Sequence, residues 1–200
     1  MMHDYAIFGH SRSSIGRWLG VASVVITGFA TSMLIWLGEV SDIQQFSTAV
    51  LTPAFAYFCL HYIFNKWAWK IPLFKIPDLS GVWKVEGKTL NEDGSVKYPW
   101  NAEIDIEQTW EKISVNLKTT QSKSQSYTAT LTKNSGTTGG WTLHYSYSNN
   151  PNIDQYHELH SHKGYCELNF SKKLETAEAS YFNSNGRRTF GQMFLCKELA

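Results

Sequence analysis

The sequence predicts a two-part protein: two N-terminal membrane-spanning α-helices, then an all-β domain of about eight antiparallel strands closed as an up-and-down barrel. Three observations carry this. Two apolar runs, each about twenty residues long, stand near the start of a 200-residue chain of formal net charge +1. The mean hydropathy of the whole chain is only -0.29, so its apolar residues are concentrated in those runs. Beyond Pro77, apolar and polar residues alternate in short segments punctuated by turn residues.

Residues 1–17 form an N-terminal segment that ends with Arg12 and Arg17. The first span, 18–37, runs from Trp18 to Leu37 without Lys, Arg, Asp or Glu; at the helical rise it is about 30 Å long, the thickness of a bilayer's hydrocarbon core. The connection 38–45 holds Glu39 and Asp42. The second span, 46–65, contains Pro53, which membrane helices tolerate and which predicts a kink. A basic linker, 66–77, carries Lys66, Lys70 and Lys75, and its two X-Pro pairs suit extended chain. Positive charge thus flanks the pair of spans, which predicts both termini and the second domain in the cytoplasm and the connection outside. Trp18, Trp36, Trp67 and Trp69 stand near the span ends, where aromatic side chains anchor at headgroups.

Two other readings of the spans fit less well. A cleaved signal peptide has a shorter apolar region, and here a second apolar run follows at once. A buried helical hairpin would need a partner domain with enough apolar surface to cover it, and the region after Pro77 has too little. The three cysteines, Cys59, Cys166 and Cys196, are odd in number and lack CxxC spacing, so they predict free thiols in a reducing compartment.

Residues 78–200 are long enough for one domain with its own core. "AEIDIEQ" sets Ile104 and Ile106 against Glu103, Asp105 and Glu107, and "KISVNLK" sets Ile113, Val115 and Leu117 against Lys112, Ser114, Asn116 and Lys118. Further strands are predicted over 81–88, 127–133, 141–148, 164–171, 175–183 and 189–197, separated by "NEDGS", "TWEK", "KNSGTTGG", "SKKLE" and "NSNGR". Most connections are hairpin-short, which favours an up-and-down barrel over a sandwich; only "NNPNIDQYHELHSHK" is long. Charge on the outward faces excludes a barrel that itself crosses a membrane. "TTQSKSQS", 119–126, reads as a mobile polar loop.

Catalytic motifs are absent: there is no GxSxG, P-loop or HExxH. His157, His160 and His162 could in principle hold zinc, but no Cys or acidic partner is aimed at them, and the plain reading is a polar loop with hydrogen-bonding histidines. No cofactor or metal is predicted, and no enzyme activity. Ligand binding has more support. "NSNGRRTFG" places Arg187 and Arg188 after a turn, where guanidinium forks can grip phosphate. Trp83, Trp100, Trp110, Trp141, Tyr145, Tyr147 and Tyr181 offer faces on which a base could stack, although aromatics on alternating strand positions also build barrel cores.

In this order, two membrane helices, a basic flank, a Pro-containing linker and a β-barrel, the chain resembles the two-transmembrane β-barrel effectors of CBASS, the cyclic-oligonucleotide-based antiphage signalling systems. The resemblance covers the whole chain, and its more specific pieces are "DLSGVWKVEG", "QTWEKISVNLKTTQSKSQS", "YSYSNNP", "HSHKGYCELNF" and "ASYFNSNGRRTFGQMFL". It implies a multi-pass protein of the bacterial inner membrane whose lipocalin-like barrel binds a cyclic dinucleotide made by a partner nucleotidyltransferase. The protein would then form a homo-oligomer whose helices disrupt the lipid bilayer and abort infection; no DNA or RNA polymer enters this reading. The positions it implies for ligand binding are Trp110, Ser122, Ser124, Tyr147, His162, Tyr181, Arg187 and Arg188, with Pro151, Gly164 and Gly191 as further family-like positions and the two glycines serving the backbone. Two rivals stand beside it: a membrane-tethered, lipocalin-like carrier of an apolar ligand, and a membrane scaffold whose barrel docks protein partners.

Overall fold

Alternating sequence from residue 81 onward becomes alternating burial along a continuous run of antiparallel strands. The computed structural model describes residues 1–38, 52–134, 139–155, 157, 160–184 and 188–198. The chain divides into two units, Met1–Gly9 with Ile76–Ala200, and His10–Lys75. In chain order the elements are β1 (His3–Asp4), β2 (Ala6–Ile7), α1 (Arg12–Gly38), α2 (Pro53–Lys66), β3 (Gly81–Leu90), β4 (Val96–Gln108), β5 (Lys112–Lys118), β6 (Ser122–Lys133), β7 (Trp141–Pro151), β8 (His162–Phe170), β9 (Thr176–Ser184) and β10 (Phe190–Lys197).

Among the described residues, the eight longer strands pair in sequence order, and β10 pairs back onto β3, which closes the predicted up-and-down barrel. One seam is thin. β5 and β6 pair only between 116–118 and 123–125, and a bulge after Ser126 turns β6 away. Residues 1–9, which the sequence reading leaves as a tail, fill the opening. β1 pairs antiparallel with β5, and β2 lies parallel on β6. Strand edges left open there would present unpaired backbone groups, which is the physical reason the segment is held. Tyr5, 3% exposed, donates its hydroxyl to the Thr109 carbonyl (3.2 Å) and accepts from Gln108 Nε2 (3.0 Å). Gln108 also accepts from the Leu79 N–H (2.8 Å) and donates to the Pro77 carbonyl (3.1 Å), so one side chain ties the first residues of the chain to the start of the barrel domain.

The end of the barrel next to this clamp is apolar. Leu79, Trp83, Ile104, Ile106, Ile113, Val115, Leu131, Leu143, Leu168, Phe170 and Leu195 are buried there, each contributing about 1.5–3 kcal/mol. Trp83 meets Phe170 edge-on at 5.1 Å and donates its indole N–H to the Leu79 carbonyl. Strand limits extend beyond those predicted: β4 starts at Val96, β7 runs to Pro151, and the predicted loop over 122–126 is the first part of β6.

In the other unit, α1 has 27 residues, about 40 Å, and exposes Val24, Val25, Phe29 and Trp36. Among the described residues it is the one helix long and apolar enough to cross a membrane, where the sequence predicts two spans. α2 has 14 residues, about 21 Å. Residues 46–51 of the predicted second span, and 39–45 of the predicted connection, lie outside the described residues. Pro53 does not kink this helix but begins it: proline lacks the N–H that a first turn leaves unused, and Thr52 caps the end by accepting from the Phe55 N–H. The predicted extended linker instead holds two 3₁₀ turns, Ala68–Lys70 and Pro72–Phe74, the second carrying Phe74 edge-on against Phe64 at 4.8 Å.

Candidate functional site

Followed away from the apolar end, the inward side of nearly every strand changes character halfway along. On β3 the inward residues run Trp83, Val85, Gly87, Thr89, and on β4 Ile106, Ile104, Ala102, Trp100, Tyr98. On β6 they run Leu131, Ala129, Ser126, Ser124, Ser122, and on β7 Leu143, Tyr145, Tyr147, Asn149. β8 passes from Phe170 and Leu168 through Cys166 and Gly164 to His162, and β9 from Ala177 and Ala179 to Tyr181 and Asn183. Small and polar residues cannot fill a barrel that Leu and Trp fill lower down. The result is a cavity of about 490 Å³ in the polar half, within the range of small-molecule sites.

Three of the rings that enter this cavity, Trp100, Tyr147 and Tyr181, are held by hydrogen bonds. Trp100 donates its indole N–H to the Tyr181 hydroxyl at 3.3 Å, and the two rings meet edge-on at 5.7 Å. Thr89 Oγ1 lies 2.9 Å from the same hydroxyl. Tyr147 donates to Asn183 Oδ1 at 2.6 Å, and Asn183 Nδ2 donates to Thr189 Oγ1 at 2.7 Å, which joins the wall to the start of β10. Two polar chains therefore hold Trp100, Tyr147 and Tyr181, and all three still border the open space.

The lining contains no Lys, Arg, Asp or Glu among the described residues. Burial pushes the Cys166 thiol up to about 12, so at neutral pH it is an uncharged SH group and a weak nucleophile. Burial also raises the Tyr145 hydroxyl well above its ordinary value. His162, 7% exposed, holds Nδ1 at 3.0 Å from the His160 carbonyl, an acceptor that places the ring proton on that nitrogen when the imidazole is neutral. Among the described residues, no three His, Cys, Asp or Glu side chains gather as a metal site would require.

Of the positions singled out in the sequence, Ser122, Ser124, Tyr147, His162 and Tyr181 line the cavity together. Trp110 does not. It is 2% exposed in the turn between β4 and β5, at the opposite end of the barrel, where burial keeps it in the core. Arg188 is exposed beside Thr189, a lining residue, and Arg187 lies outside the described residues. Of the other aromatic candidates, Trp100 and Tyr145 reach the cavity, whereas Trp83 and Trp141 do not line it. Thr89, Tyr98, Asn149, Asn183 and Thr189 also border it and were not singled out. Asn183 was accessible to the same reasoning, since it lies two residues from Tyr181 and so shares its face.

Comparison with known proteins agrees with both parts of the chain. The family model described as Cap15, TM helices, matches residues 13–70, and the one described as Cap15, cyclic dinucleotide receptor domain, matches residues 74–197. CD-NTase-associated protein 15 of Yersinia aleksiciae is 33% identical over 207 residues, covering 98% of this chain and 97% of that protein.

Proposed function

The chain belongs to the Cap15 family, and from that premise we propose that it is a membrane-anchored CBASS effector whose barrel cavity takes a cyclic dinucleotide and whose helices then disrupt the bacterial inner membrane. The observation that carries the ligand reading is the polar, ring-lined half of the barrel. A cyclic dinucleotide presents two bases and two phosphates in one compact ring, so it needs stacking faces and hydrogen-bond donors in a single concave site. Trp100, Tyr147 and Tyr181 supply the faces, each base–ring stack contributing about 1–3 kcal/mol. Ser122, Ser124 and His162, on the strands to either side of Tyr147, supply polar groups, and Arg188, exposed next to the lining residue Thr189, brings positive charge beside the cavity. An apolar cargo would call for apolar lining throughout, and this lining sets Thr, Ser, Asn and Gln side chains among its rings and the apolar Leu117 and Met193.

Placement of the barrel on the cytoplasmic side is supported by the strands formed by residues 3–7. Because β1 and β2 belong to the barrel sheet, the N-terminus lies on the same side of any membrane as residues 76–198. If α1 crosses, the chain must cross back before residue 76, which makes an even number of passes. The Lys and Arg flanks then set the barrel in the cytoplasm, where a nucleotidyltransferase product can reach it. Ligand drives the effector only through a difference in affinity between the resting and the associated states, so homo-oligomerisation is the step that cyclic dinucleotide would favour. The reading assigns the chain a receptor's role and no catalytic step.

The test uses the full chain. A thermal-shift screen in detergent with cyclic dinucleotides and fatty acids identifies the ligand, and dye release from liposomes carrying the protein reads the outcome. A cyclic dinucleotide should stabilise the chain and release dye. Leu34→Arg, which places a charge costing about 2.5–3.5 kcal/mol inside the first span, should bind without releasing dye. Stabilisation by fatty acids alone would refute the ligand, and wild-type leakage from Leu34→Arg would remove the helices from the mechanism.

A further inference from the structure

Three inward-facing glycines stand directly across a strand pair from three rings of the cavity: Gly87 opposite Trp100, Gly164 opposite Tyr147, and Gly191 opposite Tyr181. Glycine weakens a strand interior, and its presence there marks a close approach. Here what approaches is the ring. A Cβ on Gly87 would fall into the Trp100 indole, one on Gly164 into the Tyr147 phenol ring, and one on Gly191 would meet the Tyr181 ring at 2.8–2.9 Å. For Gly164 and Gly191 a carbonyl oxygen of a neighbouring strand also crowds the position, Phe182 and Lys88 respectively. At Gly87 the three nearest atoms all belong to Trp100, and its φ is not in the left-handed region, so neither backbone conformation nor backbone crowding explains that glycine.

We propose that Gly87 is a positioning residue for the ligand, resting on the cyclic-dinucleotide reading: it lets the Trp100 indole lie against the barrel wall, so that the ring offers its face to a base instead of projecting across the space the ligand occupies. The pairs at Gly164 and Gly191 repeat the device around the wall. Each bare strand position becomes a bed for a ring, and each ring, held at its polar tip by the bonds described above, becomes part of the lining rather than part of a packed core. The same three rings opposite larger residues would meet in the middle and close the cavity. Cavity and stacking faces thus come from one feature, and Gly87 controls it without touching the ligand.

The experiment uses full-length protein in detergent micelles and a panel of cyclic dinucleotides carrying every pairing of adenine, guanine, uracil and cytosine. The tightest-binding member is titrated calorimetrically into wild type, Gly87→Ala, Trp100→Leu and Val115→Ala, the last a destabilising change in the apolar end. The Trp100 indole N–H resonance, assigned by its loss in Trp100→Leu, reports the ring's pose without ligand. Gly87→Ala should move that resonance and bind at least about tenfold more weakly, within the range covered by losing one base–ring stack. Its melting temperature should be no lower than that of Val115→Ala, which should bind as wild type does. Wild-type affinity in Gly87→Ala overturns the proposal, as does an unmoved Trp100 resonance. Should Gly87→Ala not fold, Trp100→Leu decides: weaker binding by about tenfold supports the role of the ring, and unchanged affinity overturns it. A wild-type chain that binds no member of the panel overturns the functional reading itself, a result separate from the resonance shift.

Discussion

A single negative charge inside the cavity distinguishes an anionic ligand held among neutral groups from one held elsewhere. Ser124 is 9% exposed, lies on the inward side of β6 and borders the cavity, whose described lining carries no full charge. Ser124→Asp adds a carboxylate within reach of any phosphate bound there. At an effective dielectric constant of about 20, two unit charges about 4 Å apart repel by roughly 4 kcal/mol, and about 6 Å apart by roughly 3. The new carboxyl can escape part of this by taking up a proton, at about 1.4 kcal/mol for each pH unit by which its pKa must lie below the solution pH. An ordinary aspartate pKa of about 3.9 makes that escape cost about 4 kcal/mol at pH 7, so the net loss should stay at about 3–4 kcal/mol, or roughly 150- to 900-fold in Kd. Ser124→Asn has nearly the same size as the aspartate and no charge, so the ratio between the two variants isolates the electrostatic effect. Calorimetric titration at pH 7 and at pH 5 provides the assay, with the deficit shrinking at the lower pH as the aspartate protonates. Added salt should restore little of it, because charges in a cavity are poorly screened. Equal affinity in the aspartate and asparagine variants would refute the reasoning and move the phosphates out of the cavity.

Three further outcomes are expected. Arg188→Ala should weaken cyclic-dinucleotide binding by about 1.5–3 kcal/mol while leaving the fold intact by circular dichroism, and Lys should replace it poorly; unchanged affinity would show that the rim arginine makes no phosphate contact. Because burial lifts the Cys166 thiol from 9.0 to about 12, the stability it preserves is complete below pH 9 and lost as pH rises from there toward about 12, at up to about 1.4 kcal/mol per pH unit. The melting temperature should fall less steeply over that window in Cys166→Ala than in wild type, and identical slopes would contradict the assignment. Gln108→Leu breaks the bonds to Tyr5, Pro77 and Leu79 and should cost about 2–4 kcal/mol, read as a lower melting temperature and as faster protease cleavage within residues 1–9; wild-type behaviour in both would show that the clamp is idle.

The parts of the fold legible in the sequence are those where burial is apolar. Ile104 and Ile106, and Ile113, Val115 and Leu117, announce β4 and β5 by alternating with charge, because one face of each strand packs in the barrel's apolar end and the other meets water. The signal fades along the same strands where the interior becomes a polar cavity. Ser122, Ser124 and Ser126 alternate with Lys123, Gln125 and Tyr127, so both faces read as polar and a strand passes for a loop. The start of β8, where the inward residues are His162 and Gly164, is hidden for the same reason, whereas the start of β4 alternates Tyr98 and Trp100 with Lys97 and Asn101 and is masked by Pro99, which argues against a strand. The site is thus hardest to read where it exists: Gly164 and Gly191 read only as residues serving the backbone, and Gly87 as one more position of a strand. Residues 3–7 were illegible in a different way: two strands of two residues each carry no period, and only the opening between β5 and β6 gives them a place. The pair of arginines was conspicuous in the sequence, whereas Asn183 and Thr189, which connect the cavity to that rim, were plain polar residues until the register placed them together.

The central claim is that a cyclic dinucleotide sits inside the polar half of the barrel against its rings. A structure of the full-length chain bound to the tightest-binding cyclic dinucleotide tests it most directly. The account predicts ligand density between β3–β4 and β6–β9, with a base against Trp100, Tyr147 or Tyr181 and a phosphate near Ser124. Ligand density on the outer wall of the barrel, with the cavity unchanged, would contradict it.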